Sequence, residues 1–404
     1  MTFDAVQQKR KGGIPRGLSQ TAPVLFSYGF RPFFLGAAIW AIVAMLLWLL
    51  SLAGVVEIAT DYGPAHWHAH EMLFGYSSAV LAGFLLTAVP NWTGRLPVSG
   101  WPLFFLFSVW FAGRLVFLAP GLVGAEVAAA VDSLFLPALL VICVREVLAG
   151  RKWKDLKVVS GLAALSVGNT LFHLQVLLEG HPELAIKLAI SAYVVLVTII
   201  GGRIIPSFTR NWINKSGRTD FPAPYGHLDS VAILLGISAL AAWVLLPEGP
   251  VVATLAAVAF LLHLVRLMRW RGWTTLSEHL VTVLHVAYLF VPLGFLAIAM
   301  ASLEIVSPMA ALHVLTVGTV ASMMLAVMTR ATRGHTGRVL TASRTTSAIY
   351  LAIVLAAVLR PAADLFPDQA QVLYGLSGLA WLAAFGLYLV EYGPMLTRIR
   401  RKVE

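Results

Sequence analysis

HWHAHEMLFGYSSAVLAGFLLTAV, residues 66–89, sets three histidines and a glutamate at the head of a stretch that stays uncharged from Met72 to Val89. A helix needs about 20 mostly apolar residues to cross the hydrocarbon of a bilayer, and this run supplies nearly that many. The opening six residues have the opposite character. Three imidazoles and a carboxylate are costly beside hydrocarbon, and ionisable groups at membrane depth mark functional sites. Imidazole is also a common ligand for copper, haem iron and zinc. The stretch predicts a membrane helix with a metal site at its mouth.

Composition extends this reading to the whole chain. Of 404 residues, 59% are hydrophobic and 12% charged, whereas a soluble domain carries about 25% charged residues. Apolar runs recur at 32–55, 68–90, 101–120, 127–148, 158–178, 184–205, 228–246, 250–267, 277–301, 307–328, 345–363 and 370–391. They are too long for barrel strands and lack a period of two, so helix is preferred. The expected fold is all-α: a polytopic membrane protein of about twelve helices. A basic segment, 1–31, precedes a single transmembrane domain, 32–391, and a basic tail, 392–404, follows it. The polar start lacks the short apolar core of a cleavable signal. The lone Cys143 excludes an intramolecular disulfide and a cysteine-pair metal site, and reads as a buried packing residue.

Charge orients the spans. With the N-terminus inside, only Arg114, Lys187 and Arg360 of the 29 Lys and Arg fall elsewhere, leaving 29 − 3 = 26 on the cytoplasmic face. Lys9, Lys11, Arg95, Arg151, Arg210, Arg271, Arg338 and Arg400 are among them. The net charge of +10 is therefore a consequence of topology, with anionic lipid as its partner, and no nucleic-acid module is present. A bacterial inner membrane with both termini cytoplasmic is the expected location.

The eleven histidines then sort by depth. His66, His68, His70, His173, His181 and His313 fall in the outer half, and His285 falls near mid-membrane. His227, His263, His279 and His335 lie toward the cytoplasm. His181, before Pro182, reads as a solvated loop residue. His173 and His313 could each be a neutral imidazole bonded to a backbone carbonyl, but several histidines at one depth favour a shared site. If residues 67–71 are helical, His66 and His70 share a face and His68 points away; if extended, all three point one way; a strand–helix junction would divide them between two sites. The bland alternative is an interfacial cap anchored by Trp67. Glu71 could ligate, orient a histidine N–H or accept protons; Asp132 is a second proton candidate, and Met72 a minor copper ligand.

TAVPNWTGR (87–95), RIIPSFTRN (203–211) and LAVMTRATR (325–333) recur every four helices, a hint of three four-helix units. Arg203, closest to its apolar run, suits a propionate or phosphate better than the arginines further out.

Together FSYGFRPFFLGA (26–37), HWHAHEMLFGY (66–76), GFLLTAVPNWTG (83–94), GGRIIPSFTRNW (201–212), LHVLTVG (312–318) and MTRATRGHTGR (328–338) resemble the NnrS family. The resemblance implies a bacterial inner-membrane protein of about twelve helices, associated with haem and copper and with nitric oxide metabolism in denitrification and nitrosative stress. A weaker likeness to haem-copper oxidases places His70 and His313 where those enzymes hold haem. The sixth span has Tyr193 but no histidine, however, so the oxidase copper site does not carry over. The resulting expectation is haem b on His70 and His313, with Arg203 and Trp92 toward its propionates. Copper is expected on His66 and His68 with His173 or His285 nearby, and Glu71 as a proton carrier. Nitric oxide would be the substrate of a possible oxidoreductase with an unknown electron donor. A transporter or channel, and a copper or haem delivery or sensing protein without turnover, are the competing classes.

The charge reading predicts that single cysteines placed in the Arg151–Lys157 loop resist an impermeant thiol reagent added to intact cells. Ready labelling there would invert the topology.

Overall fold

A computed structural model describes residues 21–59 and 61–400. Lys9 and Lys11 of the basic N-terminal segment lie outside the described residues. Among those described, the regular structure is entirely helical, and twelve helices are long and apolar enough to span a membrane. They are α1 (Phe30–Leu52), α2 (Pro64–Thr93), α3 (Trp101–Leu118), α4 (Ala125–Ala149), α5 (Trp153–Leu178), α6 (Glu183–Lys215), α7 (His227–Leu245), α8 (Pro250–Met268), α9 (His279–Ala301), α10 (Pro308–His335), α11 (Arg344–Leu365) and α12 (Pro367–Thr397). All twelve expected spans are found. The main difference in extent is that α6, α10 and α12 continue past the apolar run into the basic segments that follow.

Local chemistry explains several boundaries. Pro64, Pro250 and Pro308 open their helices, where a missing N–H costs nothing. The Ser307 hydroxyl accepts the Ala310 N–H at 3.0 Å and caps α10. Gly94, at φ +73°, closes α2 in the left-handed conformation that glycine adopts without strain.

Helices α2, α6 and α10 touch one another, and α12 packs on both α1 and α11 to close the outer layer. Helix α2 is the most enclosed: 83% of its apolar window is buried, against 33% for α3, α8, α11 and α12. Polar groups on α2 therefore face protein, not lipid. An apolar cleft bordered by Leu81, Phe84, Leu196, Ile200, Met323 and Val327 lies where these three helices meet. The three inner-end motifs sit on the same helices, although shared placement does not by itself make a three-fold repeat.

Two of the central helices are irregular at corresponding points. Helix α2 runs as α-helix to His70, as π-helix over Glu71–Tyr76, then as α-helix again. Helix α10 does the same after His313, with π-helix over Val314–Ala321. A π-turn weakens the backbone ladder and exposes carbonyls that must find partners inside a membrane. In α2 they find them. The Tyr193 hydroxyl donates to Leu73 O at 2.8 Å, Trp110 Nε1 to Gly75 O at 2.9 Å and Ser77 Oγ to Met72 O at 2.7 Å. In α10, Ser322 Oγ donates to Val317 O at 3.1 Å.

Tyr193→Phe should therefore lower stability by about 1 kcal/mol by leaving the Leu73 carbonyl unpaired. Thermal unfolding of the detergent-solubilised variant checks this, and an unchanged midpoint would show that the π-turn needs no such partner.

Candidate metal centre

The bundle end at which α2 and α10 begin carries the histidine-rich run and is called the histidine end; the opposite one is the arginine end. At the histidine end, α2 contributes His70 and Glu71, α3 Arg114, α4 Asp132, and α5 Asn169 and His173. All six are at most 2% exposed. Arg114 joins the two carboxylates, with Nη1 donating to Glu71 Oε2 and Nη2 to Asp132 Oδ1. Trp40 Nε1 also donates to Glu71 Oε2, at 2.5 Å.

The histidines complete the cluster. His70 Nδ1–H donates to Glu71 Oε1 at 3.0 Å, since a carboxylate there can only accept. That leaves His70 Nε2 facing Asn169 Oδ1 at 3.0 Å and Asp132 Oδ2 at 3.1 Å. Asn169 Nδ2 donates to Asp132 Oδ2 at 3.0 Å, which fixes its amide so that the oxygen points at His70. His173 Nε2 reaches the same Asp132 Oδ2 at 3.0 Å, while its Nδ1 meets the Tyr62 hydroxyl at 3.0 Å. Tyr62 lies in the loop before α2. Burial, with the charge of Asp61 adding to it, pushes its phenol up, so it remains a neutral hydrogen-bonding group.

Ligand atoms of His70, Asp132 and His173 all lie within 4.8 Å of one another, a spacing that could hold a metal ion. The donor set fits one. With Nδ1–H committed to Glu71, the lone pair at His70 Nε2 has only oxygen acceptors before it, an arrangement that a positive centre would relieve.

Small residues make room for the cluster. A Cβ on Gly75 would lie 2.5 Å from both Arg114 Nη1 and Glu71 Oε2, and one on Gly113 2.8 Å from Asp132 Oδ1.

A second pair of histidines lies on another side of α2. The segment before Glu71 is helical, so His68 points away from His70. His68 stacks on Trp48 of α1, with ring centroids 4.5 Å apart and planes at 13°. Its buried Nδ1 has no hydrogen-bond partner. His68, His313 of α10 and Arg360 of α11 lie within electrostatic reach of one another. His313 Nδ1–H donates to Met309 O at 2.8 Å, which leaves its Nε2 as a free lone pair.

A family model described as NnrS protein matches residues 24–400, nearly the whole chain. The chain belongs to the NnrS family. No curated protein matches it. Family membership and the twelve helices make this a membrane protein of a family associated with nitric oxide and with metals.

In this NnrS chain, the expected histidines are grouped differently from the expectation. His70 and His313, anticipated around one haem, share no hydrogen-bond or ring partner; His70 goes with His173, and His313 with His68. His66 and His68, anticipated as a copper pair, do not share a face. His66 is half-buried, with Nδ1 3.0 Å from Tyr62 O of its own turn. His285 stands apart from both groups near the arginine end, where its Nε2 meets Thr209 Oγ1 at 2.8 Å and its ring packs against Gly272. Arg203 pairs with Asp155 at 2.9 Å and lies over Trp92, so these two residues meet each other. Trp92 is 24 residues beyond His68 along α2, about 36 Å of helical rise, and thus at the opposite end of the bundle.

Sequence reading singled out Arg114 as an exception to the charge rule and Asp132 as a proton candidate but left out Trp40, Tyr62 and Asn169. The available signal was Arg114 itself, a cation on the wrong side for the charge rule and hence in need of a buried partner. A separate buried network, near the arginine end, joins Asp229, Arg266, Tyr288 and His263. Arg266 donates to Asp229 at 2.9 Å and to the Tyr288 hydroxyl at 2.6 Å, and His263 Nδ1 meets that hydroxyl at 2.9 Å.

Gly75→Ala should cost about 1–3 kcal/mol by pressing a methyl group into the ion pair. Gly386→Ala on α12, with nothing within 4 Å of the added carbon, should be neutral or stabilising by up to about 1 kcal/mol. Unfolding midpoints measured side by side check the contrast, and equal effects would show that the cluster has room to spare.

Proposed function

We propose that this protein binds haem b and copper in the inner membrane, with both termini cytoplasmic, and acts on nitric oxide in protection against nitrosative stress. The observation that carries the reading is the division of the histidine-end imidazoles into two sets, one fully buried and one half-buried, in a chain of this family. His70, Asp132 and His173 form one set, which suits a small ion. His68 and His313 form the other; they come from two different helices, and His313 has its Nε2 free. Copper is assigned to the first set, because imidazole is a good copper ligand and the group is buried. Haem is assigned to the second: His68 and His313 would hold its iron, and Arg360 of α11, which pairs with Asp364 at 3.1 Å, would supply positive charge for a propionate.

Haem iron and copper both bind nitric oxide, and the protein's own residues set the conditions for it. Trp48 packs the face of His68, the Met309 carbonyl orients His313, and Glu71 holds Nδ1–H of His70 so that Nε2 is presented. The substrate is a small uncharged gas that reaches a buried site through lipid. Glu71 is tied to Arg114, Trp40 and His70, which suits a positioning carboxylate better than a mobile proton carrier.

Absorption spectra and metal content of the purified protein, before and after nitric oxide, test the reading. Stoichiometric haem whose bands shift with the gas supports it. A colourless, metal-free protein that moves a solute would place it among transporters, and copper without any response to nitric oxide would make it a delivery protein. At residue level, His68→Ala or His313→Ala should lose or rearrange haem with copper retained, whereas His173→Ala should lose copper with haem retained. Parallel loss of both from each variant would mean a single coupled site.

A further inference from the structure

We infer that a line of buried hydroxyls, Thr346, Tyr392, Tyr388, Tyr76 and Tyr193, carries protons from Glu391 at the arginine end to the π-turn of α2. The inference rests on the proposed function only for its use, since protons brought to the π-turn would serve chemistry at the histidine end.

The entry is a carboxylate at the edge of the bundle. Glu391 of α12 pairs with Arg333 of α10 at 3.0 Å, and the two side chains are 15% and 13% exposed. Its Oε2 accepts from Thr346 Oγ1 of α11 at 3.1 Å, and Thr346 Oγ1 meets the Tyr392 hydroxyl at 2.7 Å. With Thr346 donating to the carboxylate, its lone pair accepts from Tyr392. When the carboxylate takes up a proton, the same two contacts can run in the opposite sense, because a hydroxyl is both donor and acceptor.

The line then turns inward. Tyr388 lies one helical turn closer to the middle of α12 and stacks on Tyr392, with ring centroids 4.9 Å apart. Its hydroxyl meets Thr332 Oγ1 of α10 at 3.4 Å. Tyr76, the last residue of the π-turn, lies against the next part of α12, its ring 5.2 Å from Phe385 and 5.6 Å from Trp381. Tyr76 is within electrostatic reach of both Tyr388 and Tyr193. Tyr193 in turn donates to Leu73 O inside the π-turn at 2.8 Å. Thr346 and the four tyrosines are at most 1% exposed.

Two observations set this line apart from ordinary packing. Hydroxyls elsewhere in the bundle are spent on their own helix: Thr87 donates to Gly83 O and Ser108 to Phe104 O, each four residues back. Such a bond satisfies one side chain and leads nowhere. Thr346 and Tyr392 instead join α11 to α12, and Tyr388 reaches across to α10. The second observation is that the buried Tyr76 hydroxyl has no hydrogen-bond partner. An unpaired buried hydroxyl is costly, and Tyr76 stands between Tyr388 and Tyr193, where a bridging water would satisfy it and close the line.

Hydroxyl exchange tests the path without haem, copper or nitric oxide. Full-length protein with ring-labelled tyrosine is held in lipid nanodiscs and moved into heavy water. Deuteration of each phenol is followed by its infrared C–O band, assigned from single Tyr→Phe variants. Thr346→Val should slow exchange at Tyr388, Tyr76 and Tyr193 on the order of tenfold or more, since only local opening of the bundle then remains. Thr346→Ser, which restores the hydroxyl, should exchange as wild type does. Tyr76→Phe should slow Tyr193 and leave Tyr388 unchanged, because a break acts only on what lies beyond it. Tyr288, whose hydroxyl is held by Arg266 and His263 in the separate network, should keep its rate in every variant.

Unchanged exchange at Tyr388 and Tyr76 in Thr346→Val would overturn the inference, as would equal slowing of Tyr388 and Tyr193 in Tyr76→Phe. If Thr346→Val also alters Tyr288, its effect is damage to the fold, and the order seen in Tyr76→Phe decides. The expected order in a protein that binds neither haem nor copper would uphold the path and remove only its assigned use.

Discussion

A guanidinium held between two carboxylates inside the membrane is the constraint on which the histidine end is organised. Arg114 could not remain there alone, because a buried charge without a partner costs several kcal/mol. Its partners are brought by two other helices, Glu71 by α2 and Asp132 by α4, and each carboxylate positions a ligand. Glu71 holds Nδ1–H of His70, and Asp132 lies against Nε2 of both His70 and His173. The ion pair thus ties α2, α3 and α4 together, and through Asn169 and His173 it draws in α5.

That arrangement requires α2 to leave regular helical geometry. Glu71 stands at the start of the π-turn, and Gly75, four residues on, must lack a side chain because Arg114 and Glu71 fill the space a Cβ would take. The released carbonyls are taken up by Tyr193 of α6 and Trp110 of α3. Backbone irregularity, glycine, ion pair and imidazole therefore form one construction, in which a change to any part is felt by the others. The parallel π-turn after His313 in α10 places the second histidine set at a comparable irregularity, with a single-carboxylate pair, Arg360–Asp364, within electrostatic reach of it.

The helical run from Pro64 to His70 explains how one short segment serves two sites. Residues two apart on a helix point about 200° apart, so His68 and His70 face opposite neighbours. His68 looks toward α1 and α10, His70 toward α3, α4 and α5. The alternatives of helix and extended chain were both open to sequence reading, and the copper pairing of His66 with His68 followed from an extended start that turns helical before His70. The helix that forms instead regroups every histidine of the set.

Fold class, the twelve spans and the place of each histidine along its helix were legible in the chain because they depend on properties that are local in sequence. These are the length of an apolar run, the charge of a loop, and the position of an imidazole along its helix. The resemblance to the NnrS family was likewise carried by short contiguous motifs. Which histidines meet was not legible, because it depends on the rotation of each helix about its axis and on which helices are neighbours. A residue every 100° leaves those choices to packing. His173 joins His70 because α5 sits beside α4, and Asn169 and Tyr62 carried no signal because an amide or a phenol in a chain this apolar has many bland explanations. Arg114 marks the boundary between the two kinds of knowledge. Its misplaced charge demanded a buried partner, but only the tertiary structure, by bringing α2 and α4 to either side of it, decided that there would be two.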